Sequence, residues 1–177
     1  MTDVILGVGS NRSWQGNDSI KILKKACDRL AACLSELTVS SVYRTKPMYV
    51  ENQEDFYNMA VRGKVFDCVS PHKLLHTIHL IESSLGRDRS KEIRNGPRSI
   101  DIDIEIFGNQ SVDTADLVIP HPRLNERAFV LIPMLELLKD SADFINRADY
   151  TLMAEKADRS GVEKILTSED FIALKED

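Results

Sequence analysis

From residue 100 to 106 isoleucine occupies every second position, and Asp101, Asp103 and Glu105 fill the places between. No other stretch restricts the fold as sharply. Strict alternation matches the period of a strand, which sends successive side chains to opposite faces. The isoleucines then share one face and the carboxylates the other. Carboxylates two apart on a strand lie roughly 6.5–7 Å apart, and at an effective dielectric of about 20 each such pair costs on the order of 2 kcal/mol. Full solvation reduces that cost, so on pattern alone an acidic solvent face explains the run as well as a functional site does. Against the bland reading, Asp is depleted in strands. Hard cations such as Mg²⁺ prefer carboxylate and phosphate oxygens and would justify two in succession.

The rest of the chain arranges itself around this strand. VILGVGS is a short apolar run ended by Gly7 and Gly9, a buried strand entering a loop. Ile20, Leu23, Cys27, Leu30, Leu34 and Leu37 recur at helical spacing, with Asn17 or Asp18 as N-cap. LTVSSVYRT and YNMAVRGKVF give two further strands. Ser70-Pro71 opens a second helix whose stripe is Leu74, Leu75, Ile78, Ile81 and Leu85, with Gly86 as terminator. The isoleucine strand completes β-α-β-β-α-β, a ferredoxin-like α+β core with an antiparallel sheet and both helices on one face. The carboxylates would look out from the other, open face. A proline-bracketed loop and an apolar helical segment follow, with Pro133 near that segment's beginning. From about residue 140 the chain is more charged and weakly patterned. The expectation is one domain, with a core at about 4–138 and a C-terminal extension at about 140–177.

Before the acidic strand, GRDRSKEIRNGPR carries Arg87, Arg89, Lys91, Arg94 and Arg98 against Asp88 and Glu92. A charge run alone is usually a solvated loop. Placed directly before two strand aspartates, it suits a polyphosphate, since arginine forks onto phosphate oxygens and metal-assisted phosphoryl chemistry needs this combination. Gly7-Val8-Gly9 lacks the remainder of a phosphate loop and adds little. His72, His76 and His79 share one side of the second helix, where three solvated histidines are the simpler reading than a metal site. His121 is held between Pro120 and Pro122.

Bulk properties exclude several classes. A formal charge of −5 disfavours general nucleic-acid binding. No apolar run reaches the roughly 18–20 residues of a membrane span, and the first ten residues lack the pattern of an export signal, so a cytoplasmic protein is expected. Cys27, Cys33 and Cys68 show no metal or redox spacing and are expected as buried free thiols.

The chain resembles the 6-hydroxymethyl-7,8-dihydropterin pyrophosphokinase family of folate biosynthesis through most of residues 4–138. The resemblance rests on GSN, SSVYRTKPM, FYNMAV, IESSLGRDR, NGPRSIDIDI and IPHPRLNERAFVLIPMLEL, and the pairing of the last two is highly specific. It implies Mg²⁺-dependent transfer of pyrophosphate from ATP to the pterin hydroxymethyl, releasing AMP. Carried over by position, Asp101 and Asp103 would hold two Mg²⁺ ions, and Arg87 and Arg98 would join them as catalytic groups. Glu82, Arg89, Arg98, Ile104, His121 and Arg127 would serve ATP. Thr45, Pro47, Met48, Phe56, Asn58 and Phe129 would take the pterin, the two phenylalanines sandwiching the ring. Glu105 matches no metal ligand and is expected at the solvated end of the acidic face. Asn95 stands where an aromatic residue often precedes the Gly-Pro, Pro122 where some members place an aromatic, and His79 where a glutamine occurs. The resemblance implies small-molecule partners only, with no nucleic acid or membrane, and a monomer. Two other classes fit the residues themselves: a non-catalytic nucleotide-binding module and a nucleotidyl transferase.

Overall fold

A computed structural model describes residues 1–47, 53–91, 93, 96–138 and 147–175. Strand β1 (Thr2–Ser10) is followed by helix α1 (Ser19–Ala31), β2 (Ser35–Val39), β3 (Val42–Thr45), β4 (Phe56–Val65) and α2 (Pro71–Ser84). Then come β5 (Asp101–Phe107), a small β6–β7 ribbon (Val112–Asp113 and Val118–Ile119), α3 (Ala128–Leu137), α4 (Arg147–Lys156), β8 (Val162–Leu166) and α5 (Ser168–Ile172). Among the described residues the main sheet is antiparallel in the order β5-β1-β4-β3-β8, with β2 also paired to β4. Its first four segments in space give the expected split βαβ pattern, with β1 between β4 and β5. The single strand expected over LTVSSVYRT is interrupted at Ser40-Ser41 and forms β2 and β3.

Local chemistry fixes the two helices of the first layer. Asp18 caps α1 by accepting from Lys21 N at 2.9 Å, and Ser70 caps α2 by accepting from Lys73 N at 3.3 Å, each satisfying an otherwise orphaned donor. Helix α1 stops at Ala31, so Leu34 packs from the turn beyond it and Leu37 lies in β2. Helix α2 closes with a Schellman arrangement: Arg87 N reaches Glu82 O at 3.0 Å and Gly86 N reaches Ser83 O at 3.2 Å. Gly86 has φ +86°, and a Cβ there would stand 2.4 Å from Trp14 Cδ1. Ile22, Leu23, Leu30, Leu74 and Ile78 bury against Val4, Leu6, Ile102 and Ile104.

The second face is not left open along its whole length. Leu131, Met134, Tyr150 and Ala154 of α3 and α4 pack there on Ile5, Ala60 and Ile106. Ile106 therefore departs from the face shared by Ile100, Ile102 and Ile104. The cause is a β-bulge: Leu6 pairs with Ile104 but Ile5 pairs with Ile106, so Glu105 is the extra residue. Glu105 is consequently fully buried, not the solvated end of the face. Pro133 sits inside α3, five residues past its start. Among the cysteines only Cys27 is buried; Cys33 and Cys68 are exposed, because they fall on turns outside the helical stripes. Among the described residues no helix is long and apolar enough to cross a membrane.

The C-terminal extension completes the sheet, with β8 paired to β3 and Phe171 of α5 entering the main core. Glu136 of α3 ties these parts together by accepting from Tyr43 Oη at 2.6 Å, Ser41 N at 2.7 Å and Lys164 Nζ at 2.5 Å. Burial opposes its ionisation, but those donors outweigh burial and bring the carboxyl down to about 2. A lowered folded pKa gives stability that is complete above the ordinary value near 4.5 and is lost as pH falls toward 2. Glu136→Gln should therefore flatten the dependence of urea stability on pH between those values; a slope equal to wild type would refute the assignment. Gly86→Ala, forced into left-handed backbone against Trp14, should cost about 2–4 kcal/mol in denaturant titration; a neutral effect would show that the turn can reorganise.

Candidate active site

The site occupies the part of the second face that α3 leaves uncovered, and alternation decides which side chains reach it. Asp101 pairs with Gly9 and Asp103 with Gly7, while Gly9 pairs with Asn58 on its other side. Asp101, Asp103, Asn58 and the two glycines thus share one face. The glycines are needed for space: a Cβ at Gly9 would stand 2.7 Å from Asn58 Oδ1, and one at Gly7 would stand 2.8 Å from Glu105 Oε1. The cavity above them, of about 100 Å³, is lined by Thr45, Phe56, Asn58, Arg98, Asp101, Asp103, Arg127 and Phe129, and also by Lys46, Gln53, Glu105 and Val130. Lys46 lies within SSVYRTKPM, one of the segments that carry the resemblance, whereas no sequence signal set Gln53 apart from an ordinary loop residue.

At the ring-shaped end, Asn58 Nδ2 donates to Thr45 Oγ1 at 2.8 Å, and both residues are buried. Phe56 from β4 and Phe129 from α3 form two walls. Each carries an arginine over its face, Arg98 at 6.0 Å from the Phe56 centroid and Arg127 at 5.8 Å from that of Phe129. Pro47 is half-buried and does not line the cavity, and Met48 lies outside the described residues.

The charged end is organised by Glu82, 1% exposed at the last full turn of α2. It accepts from Arg87 Nη1, from Arg89 Nη2 at 2.6 Å and from the Ile102 backbone N–H at 2.8 Å. Arg87 Nη1 also donates to Asp101 Oδ1 at 2.5 Å, and Arg98 Nη1 donates to Asp101 Oδ2 at 2.7 Å. Burial raises the Glu82 carboxyl despite these cations. Burial also opposes ionisation of Asp101, but Arg87 and Arg98 outweigh it and hold that carboxyl low. Among the described residues Asp103 meets only Arg127 Nη1, at 3.4 Å, and burial together with the Asp101 charge pushes it up to about 7. Arg98 is positioned from just beyond β1, since its backbone N–H donates to Asn11 Oδ1 at 2.8 Å.

His121 contacts Arg127 Nη1 through Nε2 at 3.4 Å, and burial followed by that guanidinium lowers it to about 4, so its imidazole is neutral. A second depression beside the cavity is lined by His79, Glu82, Arg87 and Arg89. Ile104 is another expected site residue whose side chain is not brought in: it packs on the α1/α2 face and is 3% exposed. His72 sits apart, 3.2 Å from Thr114 Oγ1. Arg94 and Asn95 lie outside the described residues.

Among the described residues no three or more His, Cys, Asp or Glu side chains form a metal cluster. The pair Asp101–Asp103 nevertheless suits a hard cation of the Mg²⁺ type, which uses one or two carboxylates and takes its other ligands from phosphate and water. The poorly neutralised Asp103 is where such a charge is wanted.

The family model for 7,8-dihydro-6-hydroxymethylpterin-pyrophosphokinase (HPPK) matches residues 5–139. The chain is 37% identical over 140 residues to the 2-amino-4-hydroxy-6-hydroxymethyldihydropteridine pyrophosphokinase of Bacillus subtilis, covering 78% of this chain and 81% of that one. It is 40% identical over 138 residues to the folic acid synthesis protein fol1 of Pneumocystis carinii, covering 77% of this chain and 18% of that longer one. Among solved structures it is similar to Plasmodium falciparum HPPK-DHPS with pterin and p-hydroxybenzoate, with a TM-score of 0.60 and 17% identity over 88% of this chain and 42% of that one, a likeness of fold. With the matched segment running from β1 through α3, the chain belongs to the 7,8-dihydro-6-hydroxymethylpterin-pyrophosphokinase family.

Proposed function

We propose that the chain transfers the terminal pyrophosphoryl group of ATP to the hydroxymethyl oxygen of 6-hydroxymethyl-7,8-dihydropterin, releasing AMP, and that it does so as a cytoplasmic monomer. The observation that carries the reading is one cavity with Asn58 between aromatic walls at one end and Asp101, Asp103, Arg98 and Arg127 at the other. The pterin hydroxyl oxygen attacks the β-phosphorus, the bond from that phosphorus to the α–β bridging oxygen breaks, AMP departs with that oxygen, and the hydroxyl proton is released to solvent. Such a transfer depends on in-line positioning and charge neutralisation more than on covalent help.

The residues divide that work. A flat heterocycle gains from offset stacking between Phe56 and Phe129, and the Asn58 amide, with one N–H committed to Thr45, keeps a donor and a carbonyl acceptor for the ring edge. Thr45 borders the same edge, and by the resemblance Pro47 and Met48 would complete the pterin pocket. Asp101 and Asp103 would hold two Mg²⁺ ions, which when bound neutralise the polyphosphate and polarise the attacked phosphorus. Arg87 and Arg98 bracket Asp101 and face the developing charge, while Arg89 and Arg127 clamp phosphate oxygens. Glu82 keeps Arg87 and Arg89 in place, and neutral His121 offers a hydrogen bond to the nucleotide without adding charge.

Incubation with ATP, Mg²⁺ and 6-hydroxymethyl-7,8-dihydropterin should yield AMP by chromatography. Release of ADP or of pyrophosphate would identify a different transferase, and ATP binding without any product would indicate a binding module. Asp103→Asn should lower turnover by about 10²-fold or more at unchanged thermal midpoint; near-normal turnover at limiting Mg²⁺ would remove Asp103 from the metal site.

A further inference from the structure

Glu105 has no part in the scheme above, yet it lines the same cavity. It is 0% exposed, and neither carboxyl oxygen has a hydrogen-bond partner among the described residues. Nε of Arg127, which lines the cavity too, is likewise buried and unpartnered. One acceptor-bearing group and one donor are therefore both unsatisfied on the walls of one pocket. Leaving such groups unmet is costly, and native interiors almost always meet them with protein, ligand or ordered water.

The backbone builds this arrangement deliberately. The bulge at residue 105 turns an edge-strand carboxylate inward under α3, and Gly7 across the pair leaves the room it occupies, since any Cβ there would stand 2.8 Å from Oε1. An apolar residue at 105 would fill the same volume with no orphaned oxygens. Glu105 is also placed to meet a ring. It follows Asp103 along the cavity floor, while Phe129 and Val130 of α3 border the same space.

We infer that Glu105 and the Arg127 Nε–H form a second polar recognition point for the ring substrate, reading a donor–acceptor edge that Asn58 does not meet, directly or through one shared water. Rotation of the Glu105 side chain away from Gly7 brings its carboxyl to the ring, where it accepts from a ring N–H or amino group. Arg127 Nε–H donates to the neighbouring ring nitrogen or carbonyl oxygen. Glu105 is then a specificity-determining residue within the pterin pocket. The inference rests on the pterin reading above.

The test is calorimetric titration of the full chain with 6-hydroxymethyl-7,8-dihydropterin, with Mg²⁺ and the non-cleavable α,β-methylene analogue of ATP present. Glu105→Leu should weaken dihydropterin binding by about tenfold or more, leave affinity for the nucleotide analogue within about twofold, and hold or raise the thermal midpoint of the free chain. The near-isosteric Glu105→Gln, which keeps a hydrogen-bonding head group, should recover most of the lost affinity. Dihydropterin binding by Glu105→Leu equal to wild type would overturn the inference while leaving the pyrophosphokinase reading intact. A lowered midpoint with parallel loss of both ligands would overturn it in favour of a purely structural role. Failure of the wild-type chain to bind dihydropterin at all would sink both readings.

Discussion

One guanidinium joins the two halves of the charged site. Arg87 donates to Glu82 at the end of α2 and to Asp101 at the start of β5, so helix and strand meet through a single planar cation. Remove its charge from the balance and a carboxylate with 1% exposure loses its main counter-ion, a situation typically worth several kcal/mol. The contact also solves a problem of sheet geometry. β5 is an edge strand, and edge strands carry backbone groups without strand partners. Glu82 accepts the Ile102 N–H, so the residue that anchors the arginines also covers part of that edge. The Schellman turn at Gly86 delivers Arg87 to this position immediately after the helix, before the chain has length in which to wander.

The arginines also connect the two ends of the cavity. Arg98 touches Asp101 and lies over Phe56; Arg127 touches Asp103 and lies over Phe129. Each aromatic wall is therefore backed by the same cation that contacts one of the paired aspartates. A ring held between those walls and a phosphate held by those cations would share supports, which favours their mutual alignment.

Much of this was legible because alternation is a geometric statement. Isoleucines at 100, 102 and 104 do face the helices, and Asp101 and Asp103 do face the cavity, as the period of two demands. The same run concealed the bulge, since Glu105 and Ile106 continue the written pattern after the backbone has changed phase. A sequence shows the order of residues but not which one is left unpaired, and the partner strand decides that. Gly7 and Gly9 looked like turn residues; their value lies in the space they leave beside Glu105 and Asn58. VEKIL, the future β8, alternates weakly and carries charge, as an edge strand does, so its affiliation with β3 became visible only in three dimensions. α3 is apolar on nearly every side, so periodicity could not say which side would cover the sheet.

Glu136 gives the cavity a mechanical property. By holding Tyr43 of β3, Ser41 just before that strand and Lys164 of β8 at once, it bolts α3 to the β3–β8 side of the sheet. Phe129 rides on that helix, and Thr45 ends that strand. The clearance between the aromatic jaw and the polar floor is thus set by a fastener outside the cavity, with part of its grip supplied by the C-terminal extension. Tightness around a ring-shaped guest becomes adjustable from residues that never touch it.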